Sequence, residues 1–194
     1  MTVISSLCVY CGSSTGIDDS HRAAAARLGT LMAARGTRLI FGGGRVGLMG
    51  VVADAVIAGG GQVTGIIPEH IEESEVGHQG VDELIVVDNM HQRKHRMFRM
   101  ADAFVVLPGG LGTLDETFEI ITWRQLGLHD KPVVIVDNQG YWRPFIGLID
   151  HVIDQGFARP AARRLFEVVT AVDDIFGLLD ATAPPVRAAQ DELI

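Results

Sequence analysis

Basic side chains are scarce in this sequence. Sixteen Lys and Arg stand against twenty-four Asp and Glu, a net charge of −8. Broad nucleic-acid binding needs a basic footprint, so that partner class is not expected. A local anion site stays open, because backbone N–H groups supply one without net charge. Long apolar runs are missing too. None reaches the roughly 18 residues that span a bilayer. The opening "MTVISSLCVYCGSS" has no basic stretch ahead of a long apolar core, as a secretory signal would. No membrane partner and a cytoplasmic setting are expected. Cysteine is limited to Cys8 and Cys11. Their C-x-x-C spacing invites a redox reading, but the pair lies in an apparent strand. Positions three apart on a strand face opposite ways and sit roughly 10 Å apart. A disulfide needs Cα atoms within about 7 Å, so two ordinary buried thiols are expected. Lysine is limited to Lys94 and Lys131, which leaves few candidates for Schiff-base chemistry.

What is present is an alternation of short β-branched runs and helical stretches. Strands are predicted at 5–10, 38–41, 62–67, 83–88, 103–107, 132–136 and 167–170. Helices are predicted at 20–35, 46–58, 92–101, 113–128, 142–155 and 173–180. The middle strands are apolar without alternation, as in a sheet covered on both faces. The expected fold class is α/β: one Rossmann-like domain over residues 1–180, with a doubly wound, mostly parallel sheet and helices on both faces. Residues 68–82, "PEHIEESEVGHQGVD", form the longest irregular connection. The tail 181–194 is expected to be flexible.

Ligands of open α/β sheets bind beyond the carboxyl ends of the strands. Three small-residue turns fall there: "CGSSTG" (11–16), "FGGGRVGLMG" (41–50) and "PGGLGT" (108–113). Together they offer hydroxyls, free N–H groups and helix N-termini, a set that suits a phosphate. The second turn matches G-x-G-x-x-G through Gly42, Gly44 and Gly47. The dinucleotide fingerprint, however, belongs to the first strand of its unit, with an acid closing the next. Here it follows the second strand, and Glu69 is only roughly in place. Two other readings stay open: glycines that let a helix pack close to a strand, and a phosphate or ribose wall.

The third turn opens "LPGGLGTLDETFE". Pro108 fixes the strand exit, and Gly109, Gly110 and Gly112 permit unusual backbone angles. "TLDE" reads as a capping box, with Thr113 as N-cap and Glu116 reaching back to its N–H. Asp115 complements the helix dipole. If a phosphate takes those N–H groups, Glu116 is free to point into the site.

The string "PGGLGTLDE" resembles the PGGxGTxxE signature of the LONELY GUY (LOG) family. "CVYCGSS", "FGGGRVGLMG", "MHQRK" (90–94) and "ITWRQLGLHDKPVV" (121–134) resemble that family too, over roughly residues 6–179. The resemblance implies a phosphoribohydrolase acting on nucleoside 5'-monophosphates such as AMP or N6-isopentenyl-AMP. It would release a free base, a cytokinin in the N6-modified case, and ribose 5-phosphate. It implies Glu116 and Arg93 as catalytic residues and Gly109, Gly110, Gly112 and Thr113 as the phosphate turn. Lys94, Asp115 and Thr122 become further contacts, and Glu75 a candidate across the irregular connection. Leu111, Met90, Gly12, Ser13, Gly43 and Gly44 complete the candidate set. A homodimer or larger homo-oligomer is implied, and no cofactor or metal.

These residue types suit the chemistry. Glycosidic cleavage passes through an oxocarbenium-like transition state. A fixed carboxylate stabilises that charge and can orient or deprotonate water. Glu116 is the candidate for both roles. Arg93, always cationic and forked, can hold a ribose hydroxyl, the phosphate or Glu116. On local pattern alone it reads as a solvated residue of a basic helix. His91 and His95 share a helix face, yet Gln92 stands where a zincin carries Glu; a third ligand would have to come from His70, His78 or elsewhere. A pyridoxal enzyme is disfavoured: Lys131 precedes a strand at the wrong sheet edge, and Lys94 sits beside a phosphate contact. The main alternative is a non-catalytic nucleotide-binding or carrier module, which needs neither Glu116 nor Arg93.

Overall fold

Four short apolar runs supply the middle of a sheet that is covered on both faces. In the computed structural model, which describes residues 4–71 and 77–182, every residue of β1 (Ser6–Tyr10), β3 (Val63–Pro68), β5 (Ala103–Val106) and β6 (Val133–Val136) is buried. β2 (Arg38–Phe41) joins them, and β4 (Glu83–Val87) and β7 (Glu167–Val169) form the more exposed edges. The order is β4-β3-β2-β1-β5-β6-β7, and all six pairings are parallel. The expected doubly wound fold is present.

Helices cover both faces. On one, α1 (Asp19–Arg35), α2 (Gly47–Ala58) and α6 (Ile175–Ala181) pack Leu28, Met32, Val52, Val56 and Phe176 against Leu7, Val9, Leu39 and Val105. On the other, α3 (Met90–Met100), α4 (Leu111–Gln125) and α5 (Arg143–Asp154) pack Phe98, Ile120 and Phe145 against Cys8, Tyr10, Phe104 and Ile135. Cys8 and Cys11 are free, buried and divided between the two faces. Burial first, then the charge of Glu116, pushes both thiols above their ordinary range. They are core residues.

The strand order reverses between β1 and β5, where open α/β sheets form their crevice. Gly12 N–H, just past β1, donates to Pro108 O, just past β5, at 3.0 Å. The three small-residue turns therefore share one sheet edge, as anticipated. Glu75 and the tail from 183 lie outside the described residues. Among the described residues, no helix is long and apolar enough to cross a membrane.

One local prediction fails. The helix after β5 begins at Leu111, not Thr113, with Gly110 as an N-cap that makes no side-chain bond. Thr113 is the third helical residue and Glu116 the sixth, so there is no capping box. The cause is a tight local contact. A Cβ on Gly109 would meet Thr113 Oγ1 at 2.1 Å. Glycine there lets the turn close tightly and the helix start early.

Candidate active site

Each wall of the crevice follows from a strand end. The floor is α4, whose buried residues Thr113, Glu116, Thr117, Ile120 and Ile121 repeat at helical spacing. Thr117 Oγ1 donates to Thr113 O at 2.6 Å. Gly110, Leu111 and Gly112 are exposed, and a Cβ on Gly110 or Gly112 would meet nothing within 4 Å. The first intrahelical bond runs from Leu114 N to Gly110 O. The N–H groups of residues 110–113 thus have no protein acceptor among the described residues. An open helix N-terminus with free donors can hold an anion.

Glu116 lies below it, 8% exposed. Burial pushes its carboxyl up from an ordinary 4.5 to about 7; Arg93 and Lys94 oppose the rise, while Asp115 and Glu119 add to it. Arg93 is 7% exposed, not the solvated residue its helix composition implies. Its guanidinium donates from Nε to Ile66 O and from Nη2 to Gly42 O, both at 3.2 Å, and Nη1 lies 3.6 Å from Met90 Sδ. Two backbone carbonyls at the ends of β3 and β2 therefore fix a buried cation, whose charge acts on Glu116.

That contact explains a glycine. A Cβ on Gly42 would lie 1.8 Å from Arg93 Nη2. Gly47, at φ +67°, packs on the backbone of Gly12, Ser13 and Ser14, and Gly50 on Arg45 O. Gly43 O accepts from His78 N at 2.9 Å, and Gly44 bridges Gly77. Within the G-x-G-x-x-G match, Gly42 seats Arg93 and Gly47 packs on the loop after β1. Nothing in its geometry favours a dinucleotide. His78, named as a possible metal ligand, is buried with Nε2 2.9 Å from Asp54 Oδ1.

Lys94 bridges Asp115 and Glu119 at 3.1 Å each. Burial works against its charge, but hydrogen bonds to the two carboxylates prevail and leave its pKa raised. It ties α3 to α4. Lys131 lies at the opposite sheet edge, donating to Phe98 O at 2.7 Å, and burial holds it down to about 8. Gly12 borders the 108–113 turn, a Cβ there lying 3.2 Å from Gly109 Cα, while Ser13 packs beside Gly47. Thr122 is exposed on α4, on the side away from Glu116, with Leu111 and Phe118. The structure thus gathers Gly109 to Thr113, Glu116, Arg93, Met90, Lys94, Asp115 and Gly12, and leaves Thr122 outside.

Two partners were not foreseen. Glu119 is the second carboxylate on Lys94, and its i,i+4 spacing from Asp115 is a signal that was present. Tyr141, whose hydroxyl donates to Gly109 O at 2.8 Å, had no sequence signal.

Comparison with known proteins supports the same reading of the chain. Residues 49–179 match the model of a family described as "Possible lysine decarboxylase". The chain is 42% identical to Cytokinin riboside 5'-monophosphate phosphoribohydrolase LOG1 of Arabidopsis thaliana over 178 residues, 92% of this chain and 84% of the relative. It is 47% identical to Cytokinin riboside 5'-monophosphate phosphoribohydrolase LOG of Oryza sativa over 159 residues, 82% of this chain and 66% of the relative. A molybdenum cofactor binding protein from Rippkaea orientalis shares the fold at 20% identity, with a TM-score of 0.70 over 93% of this chain and 98% of that one. With two such relatives spanning most of its length, the chain belongs to the LONELY GUY (LOG) family of cytokinin riboside 5'-monophosphate phosphoribohydrolases.

Proposed function

We propose that this protein hydrolyses the N-glycosidic bond of adenosine 5'-monophosphates, N6-modified ones included, to free base and ribose 5-phosphate. One observation carries the reading. A buried carboxylate, Glu116, sits five residues below an open helix N-terminus with unused N–H donors. That is about 7–8 Å along the axis at 1.5 Å per residue, a span that a ribose fills. The 5'-phosphate takes the N–H groups of residues 110–113, and the ribose C1' comes over Glu116. Water adds to C1' as the C1'–N bond breaks and the base leaves with the electron pair. Ionised Glu116 stabilises the positive charge growing on the ring and takes the proton that the water gives up. The base nitrogen is protonated from solvent. Arg93 holds Glu116 toward its ionised form against the cost of burial. The names of the relatives supply the substrate class.

The reading includes a homodimer. Leu111 and Phe118 on α4 and Leu126 at its C-cap are 85%, 37% and 66% exposed. Phe118 packs on Phe145 of α5, with ring centroids 5.2 Å apart, and α5 exposes Leu148. Exposed apolar side chains on neighbouring helices support an interface there, and Thr122 lies on the same side of α4. The two unpaired thiols fit a reducing, cytoplasmic setting.

Glu116→Gln tests the assignment. The amide keeps the shape and loses the charge. A folded variant that binds AMP and releases almost no base supports it. A variant that hydrolyses like the parent sinks it.

A further inference from the structure

We propose that Tyr141 is a positioning residue for the phosphate turn, setting the direction in which the Gly110 N–H points. The inference rests on the phosphate-binding role given above to residues 110–113.

The Tyr141 hydroxyl donates to Gly109 O at 2.8 Å. The Gly109 carbonyl and the Gly110 N–H belong to one planar peptide unit and point opposite ways. Fixing the carbonyl therefore fixes the N–H. This matters because the unit joins two glycines, whose wide φ/ψ freedom would otherwise let it rotate. A Cβ on Gly110 would meet nothing, so no neighbour restrains that side. From the other flank, Gly12 N–H holds the preceding carbonyl, Pro108 O. Tyr141 supplies the restraint one peptide later.

The tyrosine is itself held. Gln139 at φ +56° and Gly140 at φ +77° turn the chain sharply after β6. Trp142 N donates to buried Asp137 Oδ1 at 2.7 Å. The Tyr141 ring stands edge-on to His21 and Trp142, with centroids 5.5 and 5.0 Å away. His21 is tethered in turn, with Nδ1 2.8 Å from Asn138 Nδ2. Elements after β1, β5 and β6 are thereby joined around one peptide. The bond to Gly109 O is an exposed one, so losing the hydroxyl leaves no buried polar group behind.

Tyr141→Phe keeps the ring and removes the bond. Titration of parent and variant with AMP, ribose 5-phosphate and adenosine isolates the effect. The expected result is an affinity for AMP and ribose 5-phosphate lower by about 3- to 10-fold, the worth of one neutral hydrogen bond. Adenosine, lacking the phosphate, should bind both alike. In turnover, KM for AMP should rise by a similar factor with kcat within about two-fold, as for uniform binding. Equal AMP affinity in both proteins overturns the inference, as does an equal loss for adenosine. The titration reads Tyr141 whether or not base is released, so a parent that binds AMP without hydrolysing it contradicts the hydrolase reading alone. A parent that binds no phosphate compound overturns this inference too.

Discussion

Replacing Glu116 by Gln should make the protein more stable in alkaline buffer while disabling it. The carboxyl titrates near 7 in the folded chain, against an ordinary 4.5, chiefly because it is buried. Between those values the folded protein holds a proton that the unfolded chain releases. The stability linked to this group is whole below 4.5, declines as pH rises through the window, and is gone above about 7. A rise from 4.5 to about 7 is worth about 3 kcal/mol at 1.36 kcal/mol per unit. Glutamine carries no such proton, so Glu116→Gln should gain on the parent by about 1–3 kcal/mol between pH 4.5 and 8, the lower end allowing for imperfect amide hydrogen bonds. Thermal or urea unfolding at both pH values measures this, at about 2–4 °C of Tm per kcal/mol for a chain of this size. Parallel pH dependence in the two proteins would refute the buried-carboxylate argument, whatever the activity shows.

Three further outcomes follow from the same geometry. Because Glu116 acts ionised, kcat/KM should rise about ten-fold per pH unit below its pKa of about 7 and level off above it; a flat profile between pH 5 and 8 would remove Glu116 from the chemistry. Gly42→Ala places a methyl 1.8 Å from Arg93 Nη2 and should displace the guanidinium, lowering kcat/KM by roughly 10²-fold; parental kinetics would show that the seat of Arg93 is irrelevant. Leu126→Glu puts a charge at the C-cap of α4 and should shift the mass seen by light scattering from dimer to monomer, whereas an unchanged mass would move the interface elsewhere.

Much of this arrangement was readable in the residues. Strand and helix order followed from where apolar runs give way to glycine and helical spacing. The shared edge of the three turns followed from a parallel sheet. Cys8 and Cys11 were separable by extended-chain geometry, although β1 ends at Tyr10, one residue before Cys11. What escaped depends mostly on contacts between distant positions, with the helix start as the local exception. "TLDE" obeys the local rule for a capping box, but Gly109 lets Thr113 fold in behind the turn, so the helix starts two residues early. "HQRKHRMFRM" looks like a solvated basic helix. Arg93 is buried because α3 lies across the ends of β2 and β3, whose carbonyls at Gly42 and Ile66 accept its bonds. Tyr141 reaches Gly109 from 32 positions away, and no spacing rule covers that distance.

The most direct measurement of the central claim is the products formed from AMP and N6-isopentenyl-AMP, followed by chromatography of base and sugar phosphate. Glu116 below an open helix N-terminus predicts free base and ribose 5-phosphate in equal amounts, with little turnover of the corresponding nucleosides. Release of inorganic phosphate with the nucleoside left intact, or tight binding with no base formed, would contradict it.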